Sequence, residues 1–343
     1  MSLKNFNPND PATAGTNIFG LPFTEENAKL ILIPIPWEVT VSYRTGTAKG
    51  PEKIIQASMQ VDLFDPEYKD QWKKGIACIQ EEEEIIELNN IHRELAEKIL
   101  DDLYEGRELN QNNLKQVNEA SEKLNTWLKN ISSNYLNQNK KVGLIGGDHS
   151  TPFGYVKALA KKYSNFGILQ IDAHADLRKA YEDFTYSHAS IMYNILEEIP
   201  EVKKLVQVGI RDYCDEEYLY IKENEKRIKT FFDKEIKANL YNGKNWNNIT
   251  EEIIASLPEN IYISFDIDGL KPYLCPNTGT PVPGGFELEE IFYLFEKLNK
   301  AEKNIIGFDL NETANDGSEE DTIDTITAAR IVYKLSNIFL SQN

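Results

Sequence analysis

The chain is short of cysteine, of positive charge and of long apolar runs. Cys78, Cys214 and Cys275 are odd in number and far apart. They make neither a disulfide framework nor a Cys-x-x-Cys site, so a reducing, cytoplasmic setting is expected. Basic residues number 37 against 55 acidic ones, for a formal net charge of −18. Nucleic acid and anionic membrane both call for basic patches, so neither is expected as a partner. The acidic excess would favour a cationic small molecule, although most of it reads as solvated surface. No apolar run approaches the roughly 18 residues of a membrane span. The first residues are polar and rich in Asn and Pro, without the basic-then-apolar pattern of an export signal.

What remains is a globular composition: 343 residues, 41% hydrophobic and 27% charged. That length suits one large α/β domain or two small ones. Residues 1–28 read as an irregular N-terminal arm. An apolar strand at 30–33 leads into a loop at 37–47, with a helix expected to start near Pro51. Residues 60–140 are acidic and Asn-rich, with Glu81 to Glu84 an exposed charge run. Helical spacing groups Ile91, Leu95, Ile99 and Leu103 on one face, and Leu124, Leu128 and Ile131 on another. This segment is expected to be a helical elaboration packed on a sheet, within a single domain covering 1–343.

Further strands are predicted at 141–145, 167–169, 205–209, 227–232, 261–265 and 304–310. Helices are predicted at 246–256, 288–298 and 323–339. Alternating strands and helices indicate a parallel sheet covered on both faces. Binding residues in such sheets gather beyond the strand ends, along one edge.

Polar residues concentrate at those ends. The strand at 167–169 runs into Gln170-Ile171-Asp172-Ala173-His174-Ala175-Asp176-Leu177-Arg178. On an extended backbone Asp172, His174 and Asp176 would share one face. Two carboxylates and an imidazole at close quarters suit a divalent metal, the alternative being a solvated polar strand end. The strand at 141–145 ends in Gly146-Gly147-Asp148-His149-Ser150, where the glycines let the backbone turn and approach a neighbour closely. The strand at 261–265 ends in Asp266-Ile267-Asp268, again with two carboxylates expected on one face. Pooled, His149, Asp172, His174, Asp176, Asp266 and Asp268 exceed what one zinc needs. A carboxylate-rich set of this size suits two ions of a hard or borderline metal such as Mn²⁺, and metal-assisted hydrolysis.

These three motifs, in this order, resemble the ureohydrolase family of arginases, agmatinases and formimidoylglutamases. The resemblance runs from about Ile31 to the C-terminus and is weakest over 60–140. It implies an arginase-like, three-layer α/β/α fold with a mainly parallel, roughly eight-stranded sheet. It also implies a homo-oligomer, trimeric or hexameric, and two Mn²⁺ per subunit, other divalent ions being alternatives. One ion would be held by His149, Asp172, Asp176 and Asp266, the other by Asp172, His174, Asp266 and Asp268. His188, in Tyr186-Ser187-His188-Ala189, resembles a histidine that shuttles protons or orients substrate. Glu312 resembles the acid that pairs with a guanidinium, and Asp176 would relay a proton.

The implied reaction is attack of a metal-bridging hydroxide on a guanidino carbon, releasing urea and an amine. Asp172 to Ser190 and Thr278 to Gly285 look most like agmatinases, which makes agmatine to putrescine the leading conversion in polyamine biosynthesis. Formimidoylglutamate, guanidino acids and free guanidine are alternative substrates. A mononuclear zinc deacetylase would leave His149 and Asp176 without a role as a metal pair, and a silent scaffold would have lost ligands. Lys271 and Asn311 depart from the family pattern, which commonly has Asp before Pro272 and an apolar residue before Glu312.

Overall fold

In a computed structural model, residues 6–13 and 15–342 are described. They contain an eight-stranded parallel sheet in the order β2-β1-β3-β8-β7-β4-β5-β6. The strands are β1 (Leu30–Pro34), β2 (Ile76–Cys78), β3 (Lys141–Ile145), β4 (Phe166–Ile171), β5 (Val202–Val208), β6 (Ile228–Phe231), β7 (Asn260–Asp266) and β8 (Asn304–Asn311). The helices are α1 (Gly50–Ser58), α2 (Glu83–Tyr104), α3 (Gln111–Asn137), α4 (Phe153–Ala160), α5 (Ile191–Glu198), α6 (Asp215–Glu223), α7 (Asp233–Tyr241), α8 (Trp246–Ala255), α9 (Leu288–Lys300) and α10 (Ile323–Ser341). Every residue of β1 and β4 is buried, which requires cover on both faces of the sheet. The fold is therefore the α/β arrangement expected, an eight-stranded parallel sheet between helices. Among the described residues no helix is long and apolar enough to cross a membrane.

Local signals explain the element boundaries. Pro51 occupies the first turn of α1, where its missing N–H is no loss. Asn110 caps α3 by accepting the N–H groups of Asn112 and Asn113 at 3.0 and 3.2 Å. Thr322 and Thr325 form a reciprocal cap on α10, whose inner face packs against α1, β3 and β8.

Several expectations need correction. Of the arm at 1–28, residues 1–5 and 14 lie outside the described residues. The rest is not loose, because Ile18, Phe19, Leu21 and Phe23 are buried in the main core. Within 60–140 the chain forms β2, a three-residue edge strand too short to give a periodic signal. Ile91 is exposed, and the buried face of α2 runs instead through Ile85, Asn89, Ala96, Ile99 and Leu100. Helices α6 and α7 were not anticipated, since each is short and about half charged. Residues 172–176 do not continue β4: the strand stops at Ile171, and Asp176 takes the left-handed conformation with φ 55°. Asp268 likewise lies in a 3₁₀ turn, Ile267–Gly269, rather than on a strand face with Asp266.

Candidate active site

Four adjacent central strands, β3, β8, β7 and β4, deliver the polar motifs to one edge of the sheet. His149 follows β3 and Glu312 follows β8, while Asp266 ends β7. Asp172, His174 and Asp176 follow β4. The glycines before His149 make the turn possible: a side chain at Gly147 would overlap Trp37 O, and one at Gly146 would overlap Asn311 Oδ1.

Asp172, Asp266 and Asp268 are each fixed by a backbone N–H on one side. Asp172 Oδ1 accepts the His174 N–H at 2.7 Å. Asp268 Oδ1 accepts the Ala173 N–H at 3.0 Å, and Asp266 Oδ1 accepts the Asp268 N–H at 2.9 Å. Their second oxygens converge on imidazole nitrogens. His149 Nδ1 lies 3.1 Å from Asp172 Oδ2, 3.0 Å from Asp176 Oδ2 and 3.3 Å from Asp266 Oδ2. His174 Nδ1 lies 2.9 Å from Asp268 Oδ2 and 3.7 Å from Asp172 Oδ1. Two clusters with metal-ligand spacing result: His149, Asp172 and Asp266, and Asp172, His174 and Asp268. Asp172 belongs to both. Asp176 lies outside these two triplets but touches the first through His149, and Asp266 belongs to the first alone.

The donor set fits divalent metal. His149 Nδ1 and Asp176 Oδ2 are both buried without a hydrogen-bond partner, although they are 3.0 Å apart. Buried polar atoms are seldom left in that condition. A mixed imidazole and carboxylate set is the kind that holds hard or borderline ions. The electrostatics agree. Burial opposes a charged His149, yet Asp172, Asp176 and Asp266 outweigh it and raise the imidazole well above its usual range. Burial and the neighbouring Asp172 push Asp176 up to about 7. The cluster thus concentrates negative charge where water cannot screen it, which favours bound cations.

A cavity of about 190 Å³ opens above these residues. It is lined by His149, His174 and His188, three of the chain's four histidines, together with Asp176, Asp266 and Glu312. Glu312 sits at φ 62°, a left-handed conformation uncommon for a non-glycine residue and typical of strained functional positions. Its Oε1 accepts the His149 N–H at 2.8 Å, and its own N–H donates to Gly147 O at 2.8 Å. Burial, then the nearby Asp148, raises the Glu312 carboxyl well above the usual range. His188 is held by Thr40, its N–H lying 3.4 Å from Thr40 Oγ1. Burial, with His174 and His149 close by, lowers its imidazole to about 4.

The mouth of the cavity adds Ser42, Tyr43, Tyr181 and Thr280 from loops 37–47, 181–188 and 271–285. It also adds Arg178, Asp212 and Glu217, to which sequence reasoning gave no role. The signal for Asp212 was available: Ile210-Arg211-Asp212 follows β5 just as the metal motifs follow their strands. Arg178 is matched by Glu217, with Nε 3.6 Å from Oε2, and its guanidinium lies 4.8 Å from the Tyr181 ring. The two departures from the family pattern have separate accounts. Lys271 pairs with Glu287 at 2.6 Å. Asn311 is buried, accepts from Thr151 Oγ1 at 2.8 Å and donates to Asp309.

Residues 28–337 match the model of the arginase family. The chain belongs to that family. An N(1)-aminopropylagmatine ureohydrolase from Synechocystis is 30% identical over 313 residues, covering 90% of this chain and 88% of the relative. An agmatinase from Halalkalibacterium halodurans is 28% identical over 293 residues, covering 84% and 85%. The crystal structure of a proclavaminate amidino hydrolase from Streptomyces clavuligerus superposes with a TM-score of 0.72, at 18% identity, over 97% of this chain and 100% of that one. As an arginase-family member the chain is an amidinohydrolase, and the family is one of binuclear metal enzymes.

Proposed function

We propose that this chain hydrolyses a guanidino compound with a cationic tail, releasing urea and an amine. Agmatine is the leading substrate, giving putrescine, and its aminopropyl-extended form is the alternative. The two relatives are named for acting on these two compounds. The observation that carries this reading is the pair of ligand clusters sharing Asp172 at the floor of a cavity that also holds His188 and Glu312.

Two Mn²⁺ ions are the proposed metals. His149, Asp172, Asp176 and Asp266 would hold one, and Asp172, His174, Asp266 and Asp268 the other. Divalent ions there would lower the pKa of water toward neutrality, making a nucleophile at working pH. Glu312 receives the planar guanidinium, whose fork of N–H donors matches a carboxylate. The arriving cation also relieves the cost of a charged Glu312 in a buried setting. His188, neutral at pH 7 because its imidazole is lowered to about 4, is proposed to orient the substrate in the same cavity. Asp176 Oδ2 is the proposed carrier of the proton that the leaving amine requires. With Arg178 neutralised by Glu217, the exposed Asp212 leaves the mouth net anionic, which suits a tail amine.

The test is urea release from a guanidino panel by Mn²⁺-loaded protein, with ammonia and formamide measured in parallel. Urea from agmatine or aminopropylagmatine supports the reading, and the larger kcat/KM identifies the substrate. Ammonia or formamide without urea would move the assignment to formimidoyl chemistry.

A further inference from the structure

Two glutamines interrupt otherwise apolar strands: Gln170 in Leu169-Gln170-Ile171 and Gln207 in Val206-Gln207-Val208. Both are fully buried. They stand opposite each other in the β4–β5 register, and Gln207 stands opposite Thr230 in the β5–β6 register. On the other side Gln170 is in register with Ser264 of β7, which is in register with Asp309 of β8. One row of the sheet, beneath the ligand clusters, is therefore polar across five adjacent strands.

The β4–β5–β6 half of this row forms a directed chain of hydrogen bonds. Thr230 Oγ1 donates to Gln207 Oε1 at 2.7 Å. Gln207 Nε2 donates to Gln170 Oε1 at 2.8 Å, and to Ala175 O at 2.8 Å. Gln170 Nε2 donates to Asp172 Oδ2 at 2.8 Å. Each amide has one acceptor end and one donor end, so each link fixes the orientation of the next. The Ala175 carbonyl only accepts, so Gln207 turns its NH₂ toward it and toward Gln170, and Gln170 must then present its own NH₂ to Asp172, while Thr230 Oγ1 satisfies the Gln207 Oε1 at the far end. Asp172 is the carboxylate common to both clusters.

We propose that Gln170, Gln207 and Thr230 are positioning residues that fix the orientation of Asp172, and through it the two metals. Thr230, two strands from the ligand, closes the chain by satisfying Gln207 Oε1. Apolar side chains would fill the same row without any hydrogen-bonding requirement, so a merely structural role would not demand this order of donors and acceptors. The proposal rests on the metal reading above.

The test is calorimetric titration of the metal-stripped full chain with MnCl₂, together with thermal unfolding of the metal-free protein. Thr230→Val keeps the shape but removes the terminal donor, Thr230→Ser restores it, and Gln170→Glu places an acceptor against Asp172. The expected result is Mn²⁺ affinity weakened about 10–100-fold in Thr230→Val and Gln170→Glu. Thr230→Ser should bind as the wild type does, and the metal-free Thr230→Val should still unfold in one transition, its midpoint lowered by no more than one unpaired buried acceptor costs. Wild-type Mn²⁺ affinity in Thr230→Val and Gln170→Glu would overturn the proposal. So would a Thr230→Ser variant as weak as Thr230→Val. A wild-type chain that binds no Mn²⁺ would overturn the metal reading itself.

Discussion

The strand tips at the centre of the sheet and the α2–α3 hairpin are both acidic, yet they use their carboxylates in opposite ways. At the tips Asp172, Asp266 and Asp268 are buried, each with one oxygen tied to a backbone N–H and the other facing an imidazole. On the hairpin Glu83, Glu84, Glu94 and Glu97 face solvent, where water and salt screen them. Acid content alone does not mark a site; burial that leaves charge uncompensated does. The hairpin still serves the site indirectly. Arg93 of α2 donates to the Glu38, Val39 and Val41 carbonyls of loop 37–47, at 3.3 and 3.2 Å for the first two. Tyr104 OH reaches both Ser42 O at 3.2 Å and Glu182 Oε1 at 3.3 Å, linking two loops of the cavity mouth.

The sharpest way to break this contrast is at a ligand. His174→Ala removes the only imidazole of the second cluster. It should lose one metal and, with several kcal/mol of Lewis-acid stabilisation gone, lower kcat by roughly 10²–10³-fold. Metal counting beside urea release checks this, and intact turnover would discard the two-ion account. Glu312→Gln comes next. It should retain both metals while weakening guanidinium binding about 10–100-fold, the worth of one charge-assisted pair. Metal counts and KM on the same preparation separate it from a ligand variant.

On the hairpin side, Arg93→Ala should raise KM a few-fold and leave metal content unchanged, because it loosens the mouth rather than the floor. Unfolding should show a loss of about 1–2 kcal/mol from the freed carbonyls. The smallest effect is expected at Glu81, the partly buried exception in its charge run. Burial, then Glu52, pushes its carboxyl from 4.5 up to about 7. The folded state therefore holds a proton that the unfolded chain has already released. The stability tied to that proton is present below pH 4.5 and is lost as pH rises toward 7. Glu81→Gln, which does not titrate, should match the wild type at pH 4 and melt slightly higher at pH 8. Equal melting temperatures at both pH values would contradict the assignment.

The same contrast shows what the sequence could reveal. The strands around the site were legible because 141–145, 167–169, 261–265 and 304–310 are largely apolar runs broken off by Gly146, Gln170, Asp266 and Asn311. Convergence of their tips follows from the rule that parallel strands end along one edge. The hairpin was legible only as helical periodicity. Leu95 and Ile99 were grouped correctly by spacing, but nothing local distinguishes the exposed Ile91 from the buried Ile85. β2 escaped notice because three residues carry no period. The polar row was out of reach for a different reason. Gln170, Gln207 and Thr230 belong together through cross-strand register, which depends on pairing between distant segments. The local geometry at the tips was also misjudged. An extended backbone would have aligned Asp172, His174 and Asp176, whereas the left-handed turn at Asp176 brings its carboxylate to His149 instead.

The central claim is that separate strand tips enclose two cations around Asp172. Anomalous diffraction at the manganese edge from crystals of the Mn²⁺-loaded protein tests it most directly. The account predicts two peaks in each chain, one among His149, Asp172 and Asp266 and one among Asp172, His174 and Asp268. A single peak, or peaks away from Asp172, would contradict it.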